Sequence, residues 1–389
     1  MNYKLQFEKY LLKTYKRYNV LFVKGKGKYL YNNYGKKYLD FFSGLSVCNL
    51  GHCDKELIKI VDKQIKTLWH CSNLYYTIPQ LTLAKELIKK IFPAKVFFSN
   101  SGAEANECAI KLARKYGSKD NRYEIITFKN SFHGRTIATL TATGQDKFHK
   151  GFQPLLEGFK YAEFNNINSV KKLLNKKTIA IIVEPIQGEG GVIPAEKRFL
   201  EELRVLCNEN KLLLIFDEIQ TGFGRTGKLF AYQYYNVKPD IITLAKSIAN
   251  GLPLAATIVD KKYSEIFDYS DHGSTFGGNL VACTVGLYVF KKLNKNLLNQ
   301  VKIVGEYFYN KLLELKNKYN FIISVRGVGL MLGMELNFPA RKIVEECLKK
   351  GLVINVTQDK VLRFLPPLII TKKDIDFVIN ILDEIFKNL

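Results

Sequence analysis

The sequence predicts an α/β protein: a mostly parallel central sheet with helices on both faces, joined to a smaller α+β domain. Three observations carry this. Short apolar runs at 95–99, 124–128, 179–183 and 212–216 recur with helical stretches between them, the alternation that builds a parallel sheet. Each run opens into a polar or glycine-bearing loop, and the right-handed crossover rule gathers such loops on one sheet edge. Beyond about residue 280 the pattern changes to lysine-rich helix and paired short strands. A chain of 389 residues accommodates one large and one smaller domain. The expected division is an N-terminal segment, 1–44, that joins the small domain; a large domain, 45–280; and a C-terminal small domain, 281–389.

In chain order, residues 1 to about 20 read as a helix carrying Leu5, Phe7, Tyr10, Leu11 and Tyr18. KYLYNNYGKKYLDF reads as a hairpin turning at 32–35,. The glycine- and asparagine-rich segment from Gly44 is a loop, followed by amphipathic helices at 56–68 and in LTLAKELIKKI. The run KVFFS (95–99) leads into Asn100, Ser101, Gly102, Ala103 and Glu104. Ser101 and Glu104 have capping-box spacing. Gly102 permits close backbone approach, and free N–H groups there suit a phosphate, although an ordinary capped helix would need the same residues. EIITF (124–128) is followed by KNSFHGRT. There Phe132 could stack on a ring and Arg135 could grip a carboxylate; a core phenylalanine and a solvated arginine are the plainer reading. The strand at 179–183 ends on Glu184, its loop carries Glu189, and 200–208 is helical.

Two apolar rods then end on opposite charges: 212–216 on Asp217, and 241–245 on Lys246. Ligands of open α/β sheets sit outside the carboxyl ends of the strands. An acid and an amine delivered there fit pyridoxal phosphate (PLP), the lysine bonding to it covalently and the acid pairing with its ring nitrogen. A structural ion pair at a sheet edge is the alternative. A strand at 255–259 and the loop HGSTFGGN, with Ser274 and Thr275, follow. The remainder reads as a helix over 287–315, antiparallel strands at 321–325 and 329–336, a helix at 343–350, strands at 352–356 and 361–364, and a final helix capped by Thr371. Arg363 sits in the apolar stretch VLRFLPPL, either paired with a buried acid or free to hold a ligand carboxylate.

The net charge is +23, with lysine spread along the whole chain. A nucleic-acid footprint would cluster, so compositional bias is the reading and nucleic acid is not an expected partner. A basic nucleic-acid-binding protein remains the rival from another class. A basic field would still attract dicarboxylate substrates and a phosphorylated cofactor. No apolar run is long enough to span a bilayer, and the N-terminus has neither signal-peptide nor transit-peptide character. The seven cysteines are odd in number and lack C-x-x-C spacing, as expected of free thiols in the cytosol. The five histidines show no metal-ligand spacing, so no metal is expected.

The stretches FFSNSGAEANECAIKLARKYG, SFHGRT, VEPIQGEGG, IFDEIQTGFGRTGKLFA, LAKSIANGLP, HGSTFGGN, RGVGLMLGMEL and LRFLPPLIIT together resemble the class III, fold type I PLP-dependent aminotransferases, in that family's order over nearly the whole chain. The resemblance implies that Lys246 holds PLP and Asp217 pairs with the ring nitrogen. Gln220 should lie near the ring hydroxyl, and Phe132 should stack on the ring. Gly102 and Ala103 should bind the phosphate, with Thr275 reaching it from the partner subunit of a homodimer. Glu218 and Ile219, beside Asp217, join the cofactor-binding set. Arg135 should hold a substrate carboxylate with Ser274 nearby, and Arg363 should bind the α-carboxylate of glutamate, pairing with Glu189 when that carboxylate is absent.

LWHCSNLYYTIPQ and SFHGRT lean toward the branch acting on N-acetylornithine, with glutamate and 2-oxoglutarate as the other pair. Leu45 stands where ornithine-specific members carry tyrosine. Branches acting on ornithine, succinyl-diaminopimelate or 4-aminobutyrate stay open, as does an aminomutase on glutamate semialdehyde, against which Arg363 speaks. Two departures, Leu280 in place of a proline and Ile248-Ala249-Asn250 in place of a glycine-rich run, bear on fine specificity.

Overall fold

The computed structural model describes residues 3–389. Among them, one sheet has seven strands in the order Ala94–Ser99, Ala255–Asp260, Ile241–Leu244, Leu213–Asp217, Thr178–Val183, Glu124–Phe128, Phe159–Ala162. The last five named run parallel. Ala255–Asp260 runs antiparallel to both its neighbours. The continuous apolar runs are explained by burial on both faces. Leu214, Phe216, Ile181 and Ile242 enter the core on one side, while Leu213, Ile215, Ile182 and Ile241 enter the core on the other. The register Leu213↔Ala180 and Ile215↔Ile241 keeps like-facing side chains in rows. Truncating any one of these fully buried leucines or isoleucines to alanine costs about 2–5 kcal/mol.

The helix Gly102–Gly117 follows its strand after two residues. Its capping box forms as the spacing predicts. Ser101 Oγ accepts from the Glu104 N–H at 3.3 Å, and Glu104 Oε2 accepts from the Ser101 N–H at 2.8 Å. Ala105, Cys108, Ala109, Leu112 and Ala113 bury its inner face.

A second sheet orders Phe22–Lys26, Tyr29–Asn32, Lys37–Asp40 and Leu352–Val353. The expected hairpin is there, and the parallel pairing Leu39↔Leu352 ties it to the C-terminal part of the chain. A third sheet orders Ile322–Val328, Met331–Leu336, Val361–Phe364 and Asn355–Thr357. Lys295–Lys318, Arg341–Lys349 and Lys372–Phe386 supply the helices of this region, and Thr371 with Asp374 closes a capping box on the last.

Several expected elements differ. The N-terminal helix spans only Tyr3–Tyr10 and buries none of its residues. Leu5, Phe7, Tyr10 and Leu11 stay exposed; residues 1 and 2 lie outside the described residues. The stretch 287–315 belongs to two helices, Leu280–Lys292 and Lys295–Lys318. Asn294 parts them, its side chain accepting from the Leu297 N–H at 3.0 Å, which caps a new helix where one rod was expected. The stretch 352–356 splits between two sheets. The edge strand Phe159–Ala162 was not anticipated: FKYA carries no continuous apolar signal. Among the described residues no helix is long and apolar enough to cross a membrane, no cluster suits a metal ion, and all seven cysteines are free thiols.

Candidate active site

The two charged strand ends come together. Asp217 closes its strand opposite Thr243 of the neighbouring strand, three residues before Lys246. Lys246 has a left-handed backbone, φ +50°, and opens a short 3-10 turn, Lys246–Ala249. A non-glycine residue held there costs of order 1 kcal/mol or more and is found where the surroundings enforce it.

Asp217 is 4% exposed. Its Oδ2 accepts from Asn106 Nδ2 and lies beside His133 Nδ1, both at 2.8 Å, while Oδ1 accepts from the Ile219 N–H at 3.1 Å. A carboxylate only accepts, so His133 carries its proton on Nδ1. His133 Nε2 then meets Thr127 Oγ1 at 3.1 Å. Asn106 is oriented from behind: its Oδ1 accepts from Thr243 Oγ1 at 2.7 Å, and its Nδ2 also donates to the His133 carbonyl. The side chains of Asp217, His133, Asn106, Thr127 and Thr243 are all buried, which fixes the carboxylate in one orientation. Neither His133 nor Asn106 was singled out from the sequence; the only available signal was their place inside SFHGRT and SGAEANE.

Glu184, read only as a strand end, is a second buried acid. It accepts from the Phe132 N–H at 2.9 Å and the Gly188 N–H at 3.3 Å, and so fixes the loop that presents Phe132. Burial first, and then the charge of Asp217, push its carboxyl up to about 7, against the pull of His133. Phe132 packs edge-on against Phe148, with the Arg135 guanidinium 4.2 Å from the Phe148 ring centroid. Arg135 is exposed, and no ion pair among the described residues engages it.

Burial pushes the Lys246 amine below its ordinary range, and Arg363 adds to this; Glu189, Asp217 and Glu184 pull the other way without restoring it. Arg363 is 1% exposed and pairs with Glu189 at 2.7 Å. It also donates to Asn355 Oδ1 at 2.9 Å and to Gln220 Oε1 at 3.4 Å. Burial alone would raise the Glu189 carboxyl, but Arg363, with Lys246 and Lys147 further off, holds it below the usual range. Gly188 lies close against the amide of Gln220: a Cβ there would stand 2.2 Å from Gln220 Oε1, so that side-chain end would have to shift. Arg363 thus bonds to both Glu189 and Gln220, and the charges of Glu189, Asp217, Arg363 and Glu184 all act on the Lys246 amine.

Gly102 and Ala103 open their helix with N–H groups for which no protein acceptor is found among the described residues. Ile219 packs its Cδ1 atom 2.8 Å from where a Gly102 Cβ would stand, so this helix end adjoins the Asp217 loop. The side chain of Glu218 is committed elsewhere: it accepts from the N–H groups of Ala231 and Tyr232, capping a short helix, and burial raises it to about 7. Ser274 Oγ is used within its own neighbourhood, accepting from the Gly277 N–H at 2.9 Å and from Asn100 Nδ2 at 3.2 Å. Thr275 is exposed. Within one chain neither hydroxyl hydrogen-bonds to Lys246 or Asp217.

Comparison with known proteins agrees with this geometry. The family model described as Aminotransferase class-III matches residues 11–386. The acetylornithine aminotransferase of Methanocaldococcus jannaschii is 49% identical over 387 residues, covering 98% of this chain and 97% of that protein. The acetylornithine aminotransferase of Aquifex aeolicus is 51% identical over 380 residues, covering 97% and 99%. Among solved structures, the ornithine aminotransferase of Toxoplasma gondii ME49 superposes with a TM-score of 0.95 at 30% identity, covering 99% of this chain and 94% of that one. With an acid and a lysine delivered by adjacent strands, a fold shared across the whole chain and a family match over nearly all of it, this protein belongs to the class-III aminotransferases.

Proposed function

We propose that the enzyme is a PLP-dependent N-acetylornithine:2-oxoglutarate aminotransferase serving arginine biosynthesis. The observation that carries this reading is that the charges of Asp217 and of the Glu189–Arg363 pair all act on the buried Lys246 amine, in a chain about half identical to relatives named acetylornithine aminotransferases. The fit to PLP rests on the buried, triply hydrogen-bonded carboxylate, the desolvated amine, and the unpaired N–H groups of Gly102 and Ala103 at a helix N-terminus, which suit a phosphate.

When bound, PLP supplies a covalent anchor for an amine and an electron sink for the bonds at the donor carbon. In this reading Asp217 holds a proton at the ring nitrogen, and His133 and Asn106 keep it facing that atom. Phe132 covers the ring face, and Gln220 lies near the ring hydroxyl. Lys246 Nζ, whose hold on a proton is weakened by burial, takes the proton from the donor carbon and returns it. Arg135 grips the distal carboxylate with Ser274 nearby, and Arg363 takes the α-carboxylate of glutamate once Glu189 leaves it. With a donor lacking that second carboxylate, Glu189 stays paired.

Ornithine as donor is the second reading, favoured by the T. gondii likeness. Leu45 counts against it: it lies next to Ser46, whose hydroxyl reaches the Gln220 carbonyl at 3.4 Å, and it offers no polar group to a free α-amine.

The chain divides in this reading into the 1–44 segment, a large domain over 45–280 and a small domain over 281–389. It pairs as a homodimer, with Thr275 serving the partner's phosphate. The exposed apolar side chains Trp69, Leu74, Tyr75, Ile78, Leu81 and Phe276 suit such an interface.

The deciding experiment ranks amino donors by kcat/KM with 2-oxoglutarate. N-acetylornithine should exceed ornithine by at least about tenfold, the worth of one mismatched polar contact. In parallel, Lys246→Ala should abolish the borohydride-reducible attachment of PLP. Ornithine ranking first would overturn the substrate reading, and a surviving reducible adduct would overturn the role of Lys246.

A further inference from the structure

Two glutamines outside the residues assigned above join the loop of Phe132 to the Glu189–Arg363 pair. Gln145 is buried and Gln358 half-buried. Gln145 Nε2 donates to the carbonyls of Ser131 at 2.9 Å and Asn130 at 3.3 Å, the two residues before Phe132. Gln145 Oε1 accepts from Gln358 Nε2 at 3.0 Å, and the same nitrogen donates to the Glu189 carbonyl at 2.9 Å.

The amide orientations are forced. Main-chain carbonyls only accept, so the nitrogen of Gln145 must face 130–131 and the nitrogen of Gln358 must face Glu189. That leaves the oxygen of Gln145 for Gln358. Thr357 Oγ1 donates to the same Glu189 carbonyl at 2.6 Å. Gln358 sits at a hairpin tip, with φ +47° at Gln358 and +57° at Asp359, between Asn355–Thr357 and Val361–Phe364. The second of these strands carries Arg363. The hairpin therefore holds Glu189 twice, by its carbonyl at the tip and by its carboxylate along the strand. A cavity of about 340 Å³, lined in part by Asn130, Gln145, Lys147 and Gln358, adjoins the amide pair.

We propose that the Gln145–Gln358 amide pair is a positioning device for Glu189. It locks the backbone of Glu189 to the loop of Phe132, so that only the carboxylate swings when a dicarboxylate displaces it from Arg363. The inference rests on the reading of Glu189 as the group that yields to glutamate. A donor that leaves Glu189 paired depends on the lock. Glutamate, which displaces the carboxylate, depends on it less. The pair thus sets specificity between the two half-reactions without touching either substrate.

The test uses single-turnover half-reactions of the full-length holoenzyme with N-acetylornithine and with glutamate. Gln358→Glu keeps the size but removes both donors. Gln145→Ala removes the link to the Phe132 loop. Each should lower kcat/KM for the monocarboxylate donor about fivefold, the worth of one neutral hydrogen bond, and leave glutamate within about twofold with the cofactor absorbance unchanged, while Gln145→Ala, which leaves the carbonyls of 130 and 131 without their donor, also melts a few degrees lower. The double variant should lose no more than the worse single one, because the two act in series. Equal losses in both half-reactions, or losses that multiply in the double variant, would overturn the proposal. If wild type prefers another donor, the substrate reading fails by itself. The same ratio is then measured with that donor, and an unchanged ratio in Gln358→Glu would sink the positioning role independently.

Discussion

His133 Nδ1 lies 2.8 Å from Asp217 Oδ2 in a setting where both side chains are almost fully buried. The imidazole is the acid's rear support, and Asn106 is its lateral one. A carboxylate so held does not need to reorganise when charge develops on its other side.

Replacing His133 by leucine should therefore reduce turnover about 10- to 100-fold, since a hydrogen bond to a charged group is worth about 1.5–3 kcal/mol. PLP should be retained. His133→Gln, which still offers a donor, should recover much of the loss. Stopped-flow rates of the amino-donor half-reaction are the measurement; an unchanged rate in the leucine variant would remove His133 from the active-site account.

Arg363→Ala leaves the half-buried Glu189 carboxylate without its cation. Truncating one partner of such a pair costs about 2–5 kcal/mol, so kcat/KM for glutamate should fall by about thirtyfold or more, while the PLP dissociation constant changes little. Fluorescence titration of the cofactor alongside steady-state kinetics separates the two. Equal losses in both would contradict the assignment of Arg363 to substrate.

His52 and Asp40 make stability depend on pH in the alkaline range. Burial alone would lower the imidazole, but the 2.7 Å contact with Asp40, aided by Cys48, raises it to about 10 from the ordinary 6.5. A base raised on folding contributes stability that is complete below the unfolded value and is lost as pH climbs through the folded one. The melting temperature of wild type should therefore fall between roughly pH 7 and pH 10 more steeply than that of His52→Gln, by a few degrees. Calorimetry across that window checks it, and parallel curves would refute it.

Arg225 is fully buried without an acid bonded to it. It donates to Ser46 Oγ, Asn49 Oδ1 and the carbonyls of Leu330 and Pro366, and burial lowers it to about 9, with Asp40 opposing. It joins the loop after the N-terminal hairpin to two segments of the C-terminal region. Arg225→Met should strand these acceptors at a cost of at least about 3 kcal/mol and lower the melting temperature by several degrees, as a thermal-shift assay would reveal. A variant as stable as wild type would mean that water replaces the guanidinium.

What the sequence made legible follows from how each signal arises. The strands ending at Phe128, Val183 and Asp217 are buried along nearly their whole length and read as apolar runs, while Ala94–Ser99 is a partly exposed edge strand that the apolar core of KVFFS still marks. Phe159–Ala162, an edge strand of mixed exposure, has no such pattern. The N-terminal helix was over-extended because Leu11 and Tyr18 fit its period, and a period does not reveal whether a surface exists to receive it. In the site, charged strand ends announced Asp217 and Lys246. His133, Asn106 and Gln358 act through hydrogen bonds to residues remote in sequence, for which composition and spacing carry no mark. Glu218 was grouped with its neighbour Asp217, but alternation along an extended chain turns successive side chains to opposite faces, and its carboxylate serves a helix cap instead.

The reversed strand Ala255–Asp260 stands between the strand that leads to Gly102 and the strand that leads to Lys246. Adjacent strands lie about 4.8 Å apart, so those two exits are separated by about 10 Å. Small side chains, Ala105, Ala245 and Ala255, pave the ground between them. The sheet thus acts as a ruler: in the proposed reading, a cofactor attached at Lys246 and held by its phosphate at Gly102 would have to span about 10 Å.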